Sequence, residues 1–204
     1  MEDKTLKQFA DLTASKEPAP GGGGVTALVG SLAACLSEMV CNLTFGKQKY
    51  LEYSLEINEI RKELEIIRNN LLECIRKDEE AFLPLAELYK SDRSAPDYET
   101  KMEEALRNSA NSPLLIFRYC LRIIEIDERL AVIGSKISVS DAGTSVMLAH
   151  GCLYAAYINI LVNTRLMKDR KYAEDLNRET MKLLDEYSIK ALDIYDDICE
   201  RLTN

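Results

Sequence analysis

Asp78 stands where an apolar residue belongs. Ile57, Ile60, Leu64, Ile67, Leu71 and Cys74 step along the chain by three and four, and the same spacing continues to Asp78, Ala81 and Leu85. Such steps trace one face of a helix. A carboxylate on a core-facing stripe is costly unless it is paired or hydrogen-bonded. Two readings therefore stay open: a solvated acid where the helix leaves the core, or an inward acid kept for proton transfer. Asp141 is the second candidate acid. It lies three residues after Ser138, the spacing of a capping box, so it serves either a helix start or a reaction. No activated nucleophile emerges. Cys35, Cys41, Cys74, Cys120, Cys152 and Cys199 fall mostly in apolar helical patterns and read as packing residues, and His150 reads as a hydrogen-bonded core histidine. One histidine and no CxxC pair leave no metal-ligand set.

The remaining polar candidates could hold a ligand. Gly21, Gly22, Gly23 and Gly24 immediately precede a helix, where amides without a Cβ can approach an anion. No Gly-Lys-Ser or Gly-Lys-Thr and no strand accompany them, so neither a phosphate-binding loop nor a dinucleotide fingerprint is present, and a plain hinge is the alternative. Asn159 and Asn163 continue a seam of small residues, Ser145, Ala149, Cys152 and Ala156. Buried amides must satisfy donors and an acceptor, by bonding neighbouring helices or a polar heterocycle. Lys47 and Lys49 follow one apolar helix; Arg165, Lys168, Arg170 and Lys171 follow the other. They either complement helix dipoles or form one anion dock.

These residues must be carried by helices, since Val and Ile recur at helical spacing and no segment alternates as a strand does. The expected elements are a short helix at 5–15, a breaker at 17–24, an apolar helix at 25–45 and a long helix at 54–88, bent at Pro84. A polar loop at 91–96 leads to a helix at 97–111. Ser112-Pro113 has the form of a cap and first turn, predicting a new helix to Val132. A second apolar helix to Met167 and a last helix at 172–202 complete the chain. The fold expected is a single-domain all-α bundle over residues 1–204, built on two long buried apolar helices. The second of these offers Ser145, Ala149, Cys152 and Ala156 to Gly30, Ala34, Ser37 and Cys41 of the first.

Composition narrows the function. A net charge of -8 without a basic stripe argues against nucleic acid. The two apolar stretches are rich in Gly, Ala, Ser, Cys and Asn, which suits core helices better than membrane spans. The charged segment at 1–12 and the unpaired cysteines point to the cytoplasm.

Three blocks, in this order, carry a resemblance. They are Pro18-Ala-Pro-Gly-Gly-Gly-Gly-Val25 with Met39-Val-Cys-Asn-Leu-Thr-Phe-Gly-Lys47, then Asp78-Glu-Glu-Ala-Phe82, then Ser140-Asp141-Ala-Gly143 with Ala156-Tyr-Ile-Asn159 and Val162-Asn163. Together they resemble the cyclodeaminase domain of formiminotransferase-cyclodeaminase and the related bacterial methenyltetrahydrofolate cyclohydrolases. Two departures stand out: Gly24 where that family usually has serine, and Ser135-Lys136-Ile137 after Gly134 where it tends to carry Asn-x-Asn.

The resemblance implies an all-helical homodimer with a folate near the subunit interface and no metal or redox cofactor. The first expectation is the cyclodeaminase, which closes a formimino carbon onto the neighbouring folate nitrogen and expels ammonia; the alternative is the cyclohydrolase, which adds water to the methenyl carbon. The resemblance implies a formiminotransferase as partner, and a non-catalytic folate- or protein-binding dimer is the competing class. The resemblance assigns Asp141, Lys47 and Asp78 to catalysis. To substrate binding it assigns Gly21, Gly22, Gly23, Gly24, Asn42, Lys49, Ser140, Asn159, Asn163 and Arg165.

Overall fold

A computed structural model describes residues 4–204. Six α-helices and no strand occur among the described residues: α1 (Leu6–Thr13), α2 (Gly22–Thr44), α3 (Ser54–Lys90), α4 (Tyr98–Ile133), α5 (Val139–Thr164) and α6 (Arg170–Thr203). Short 3₁₀ turns, Gln48–Tyr53 and Lys136–Ser138, precede α3 and α5.

The two apolar helices form the centre, as their composition predicts. They run antiparallel: the Ser145 hydroxyl donates to the Ala33 carbonyl at 2.8 Å, and Cys152 Sγ lies 3.5 Å from the Thr26 carbonyl. Small side chains on both permit this approach. Both are long and apolar enough to cross a membrane by length and composition alone, yet here they pack on each other along the seam. The helices α3 and α4 close one side with Leu64, Leu71, Ile116, Phe117 and Ile123, all buried, and α6 lies on α5 through Leu184, Ala191 and Ile198. Gly143 makes the last contact possible, since a Cβ there would stand 3.3 Å from Ile198 Cγ2.

Paired arginines fix α3 against α4. Arg122 grips Glu63 with bonds of 2.6 and 2.9 Å, and Arg129 grips Glu56 in the same two-pronged way. The Arg122 guanidinium holds the Glu63 carboxyl below its ordinary range. These pairs are substantially exposed, so each contributes at most about 1 kcal/mol and chiefly sets register.

Three local expectations are corrected. The helix α2 begins at Gly22 rather than Val25, so the glycine run is its first turn instead of a breaker. The helix α4 continues unbroken through Ser112 and Pro113, although an interior proline costs about 3 kcal/mol. Part of that cost is offset because Ser112 donates to the Cys74 carbonyl and Ser109 to the Ala81 carbonyl, both on α3. The capping box at Ser138 is absent: its hydroxyl turns back to the Ser135 carbonyl, leaving Asp141 without a capping partner. The long helix α3 runs through Pro84 to Lys90, matching the single helix expected at 54–88.

Candidate active site

A cavity of about 540 Å³ opens at one end of the bundle, where the start of α2, the C-terminal third of α3, the first half of α4 and the end of α5 converge. Asp78, Phe82, Tyr89, Ser109, Asn159 and Asn163 are among its walls, with Arg165 also reaching it.

Asp78 faces this cavity, so the solvated reading falls. Its carboxyl lies against the first turn of α2, so closely that a Cβ on Gly23 would sit 2.2 Å from Oδ1 and 2.5 Å from Cγ. Burial raises its pKa, and a hydrogen bond from the Gly24 amide opposes the shift. A raised pKa makes the carboxyl a better proton acceptor than a free aspartate, the direction that general acid–base chemistry requires. The arrangement also changes the role of the glycines. The amide of Gly24 serves Asp78, and only Gly21, Gly22 and Gly23 line the cavity. Gly24 is buried, and a side chain there would meet Pro20 Cβ at 3.2 Å.

Across from Asp78, Asn159 and Asn163 face in from successive turns of α5. Asn159 Nδ2 donates to the Ala155 carbonyl at 2.7 Å, and Asn163 Nδ2 donates to the Asn159 carbonyl at 2.9 Å and to the Ser109 carbonyl at 3.4 Å. Asn163 thus bonds a neighbouring helix and Asn159 only its own, and both line the cavity. Tyr89 and Arg165 face each other closely enough for the guanidinium to oppose the rise that burial imposes on the phenol. A basin of about 550 Å³ near Glu99, Arg107 and Lys168 offers less, because its charges are paired with one another.

The model of the formiminotransferase-cyclodeaminase family matches residues 5–182. The chain belongs to this family. Among its relatives is a methenyltetrahydrofolate cyclohydrolase of Methylorubrum extorquens, 34% identical over 200 residues that cover 96% of each chain. The formimidoyltransferase-cyclodeaminase of Mus musculus is 24% identical over 93% of this chain but only 36% of its own length. The crystal structure of a formiminotetrahydrofolate cyclodeaminase from Thermotoga maritima superposes with a TM-score of 0.86, at 29% identity, covering 97% of this chain and 98% of that one.

In this member of the cyclodeaminase family, the remaining candidates lie at the opposite end of the bundle. Lys47 donates to the buried Ser135 hydroxyl at 3.1 Å, and the Ser135 amide donates to Thr44 Oγ1 at 2.8 Å. Nearby, the Tyr50 hydroxyl accepts from the Lys136 amide, the main cause that holds its pKa below the ordinary value. Asp141 and Ser140 begin α5, whereas Asn159 lies 18 residues on, about 27 Å along the helix. Asn42 is exposed, 3.5 Å from Arg61 Nη1, in a groove apart from the cavity. The expectation of one anion dock fails within a single chain, because α2 and α5 are antiparallel and their C-termini point apart. Arg170 instead caps α5, donating to the Thr164 carbonyl at 2.8 Å, and Lys168 pairs with Glu99. Of the two family departures after Gly134, Ser135 is buried and bonded, while Ile137 is 86% exposed.

One polar centre escaped the sequence reading. Asp127 of α4 is wholly buried between the two central helices. Its Oδ1 lies 2.6 Å from the Ser37 hydroxyl, which lies 2.7 Å from that of Ser145, while Oδ2 has no partner. Burial pushes its pKa up to about 8 against the effect of the two serines. The signal was available: Ile116, Cys120, Ile123, Asp127 and Leu130 repeat the interrupted seam that singled out Asp78.

Proposed function

We propose that this protein is a folate one-carbon enzyme acting at the carbon that bridges N5 and N10, with the pteridine in the cavity beside Asp78. The observation that carries this reading is a carboxyl with a raised pKa facing two asparagine amides across a cavity large enough for a heterocycle. Hydrolysis of 5,10-methenyltetrahydrofolate is the first assignment. The full-length likeness to the Methylorubrum cyclohydrolase favours it, and it makes the smaller chemical demand. Water adds to the methenyl carbon and loses a proton to Asp78; the C–N5 bond then breaks as N5 takes up a proton and the new hydroxyl gives up its own, leaving 10-formyltetrahydrofolate and one proton released overall. Formiminotetrahydrofolate cyclodeamination is the second reading, favoured by the Thermotoga structure. There N10 attacks the formimino carbon, a base takes the N10 proton, and the amino group leaves as ammonia after gaining one. A separate formimidoyltransferase would be its natural supplier, as the joined name of the mouse relative suggests.

The catalytic set is completed, on this proposal, by a second copy. The outer face of α5 carries Met147, Gly151, Tyr154, Ile158 and Val162 without a charge, and Tyr154 and Ile158 are 48% and 61% exposed. A Cβ on Gly151 would meet nothing within 4 Å, so this face is open at its middle. A two-fold contact pairs such a face with itself. Antiparallel pairing about Gly151 would bring residue 141 of one copy opposite residue 161 of the other, beside Val162 at the cavity wall. Asp141, Ser140, Lys47 and Lys49 of one copy would then join Asp78, Asn159, Asn163 and Arg165 of the other.

The test is to supply each substrate to purified protein while following the near-ultraviolet methenyl chromophore and free ammonia. Loss of the chromophore supports hydrolysis; its appearance with ammonia supports cyclodeamination. Neither change, with no folate bound, would sink the reading.

A further inference from the structure

Asn163 is held in one orientation by its surroundings. Its side-chain hydrogen bonds run to the carbonyl oxygens of Asn159 and Ser109, which can only accept, so the nitrogen must face both. The amide oxygen takes no hydrogen bond from the described residues, is not sealed from solvent, and belongs to a side chain that lines the cavity. The Ser109 carbonyl is free for this contact because residue 113, four positions on, is proline. Proline has no amide hydrogen to offer it, and its ring presses that carbonyl away from the helix axis. Asn159 repeats the pattern: its nitrogen is taken up by the Ala155 carbonyl, and its oxygen has no partner in the chain. This wall of the cavity therefore presents acceptors.

We propose that Pro113 is a positioning residue that turns the Asn163 amide oxygen into the cavity, so that this wall selects a ligand edge made of N–H donors. On the folate reading, on which the ligand's identity rests, that edge is the 2-amino and N3–H side of the pteridine. A ligand offering an acceptor there would leave two oxygens facing each other unpaired. The bond from Asn163 to Ser109 is already long, at 3.4 Å, so an amide restored at position 113 would draw the carbonyl back and release the side chain.

The experiment compares binding of tetrahydrofolate and its 2-desamino analogue, which keeps the ring and tail but lacks the exocyclic donor. Wild-type protein should prefer tetrahydrofolate by about tenfold, the worth of one well-made hydrogen bond. Pro113→Ala should lose most of that preference while its melting temperature holds or rises, because a helical hydrogen bond is regained. A purely structural proline would alter melting without altering the ratio. Retention of the wild-type ratio in Pro113→Ala overturns the proposal. Val162→Trp, which fills the cavity from a half-exposed position, separates the underlying reading: unchanged tetrahydrofolate binding there means the folate lies elsewhere, and the proposal falls with the site. Blocked binding in Val162→Trp together with a lost preference in Pro113→Ala supports both.

Discussion

Replacing Asp127 by asparagine should remove a pH dependence from the stability of the fold. The folded carboxyl is completely enclosed and titrates near pH 8, whereas in the unfolded chain it titrates at about 4. Between these values the folded state holds a proton that the unfolded state has released. The stabilisation conferred by the neutral acid is therefore complete below about pH 4 and is lost as pH rises toward 8. Each pH unit in this window costs about 1.4 kcal/mol, so the interval from pH 5 to pH 8 amounts to roughly 4 kcal/mol. With the acid neutral, its hydrogen can run to Ser37, that of Ser37 to Ser145, and that of Ser145 to the Ala33 carbonyl, so every donor is used. Asparagine preserves size and a donor but has no titration. Urea denaturation of both proteins at pH 5, 6, 7 and 8 would expose the difference, since every other titrating group cancels. Wild type should lose stability relative to Asp127→Asn by about 1 kcal/mol or more per unit. Parallel stability curves would refute the argument and mean that Asp127 is ionised in the fold.

Three further outcomes follow from the site. Asp78→Asn should lower turnover by roughly 10²–10⁴-fold with folate still bound; near-native rates would remove Asp78 from proton transfer. Gly23→Ala should cost about 1–3 kcal/mol in melting experiments and displace the Asp78 carboxyl, because the added Cβ lands 2.2 Å from it; an unaltered melting curve with full turnover contradicts that packing. Mixing inactive Asp78→Asn and Asp141→Asn proteins should restore about a quarter of wild-type sites, since a random mixture gives half mixed dimers, each with one intact site. No recovery after subunit exchange would assign both acids to one chain, and an active Asp141→Asn protein would remove Asp141 from the site.

Much of this was legible in the sequence because helices write their buried face at a fixed spacing. The steps that ran on to Asp78 singled it out as an acid on the core-facing stripe, with a solvated and an inward reading both open, and the small residues of 145–156 identified the contact with α2. What misled were local signals that tertiary contacts override. Ser112-Pro113 has every feature of a helix start, yet the carbonyls of Cys74, Ala81 and Ser109 engage side chains that keep α4 continuous. Ser138 and Asp141 have capping-box spacing, but the Ser138 hydroxyl found a nearer carbonyl. The grouping of Lys47 with Arg165 failed for a different reason. Sequence lists helix ends without saying which ends meet, and antiparallel packing sent these two to opposite poles of the bundle.

The seat of Asp78 on the first turn of α2 makes the Gly24 amide a spectroscopic witness to the state of the acid. A backbone proton that donates to a carboxylate resonates downfield and moves as the carboxylate is neutralised. A titration followed at that one nuclear magnetic resonance signal would read the acid's charge directly, with no substrate added. The same signal would register a ligand that draws the carboxyl away, linking occupancy of the cavity to the fastening of a central helix.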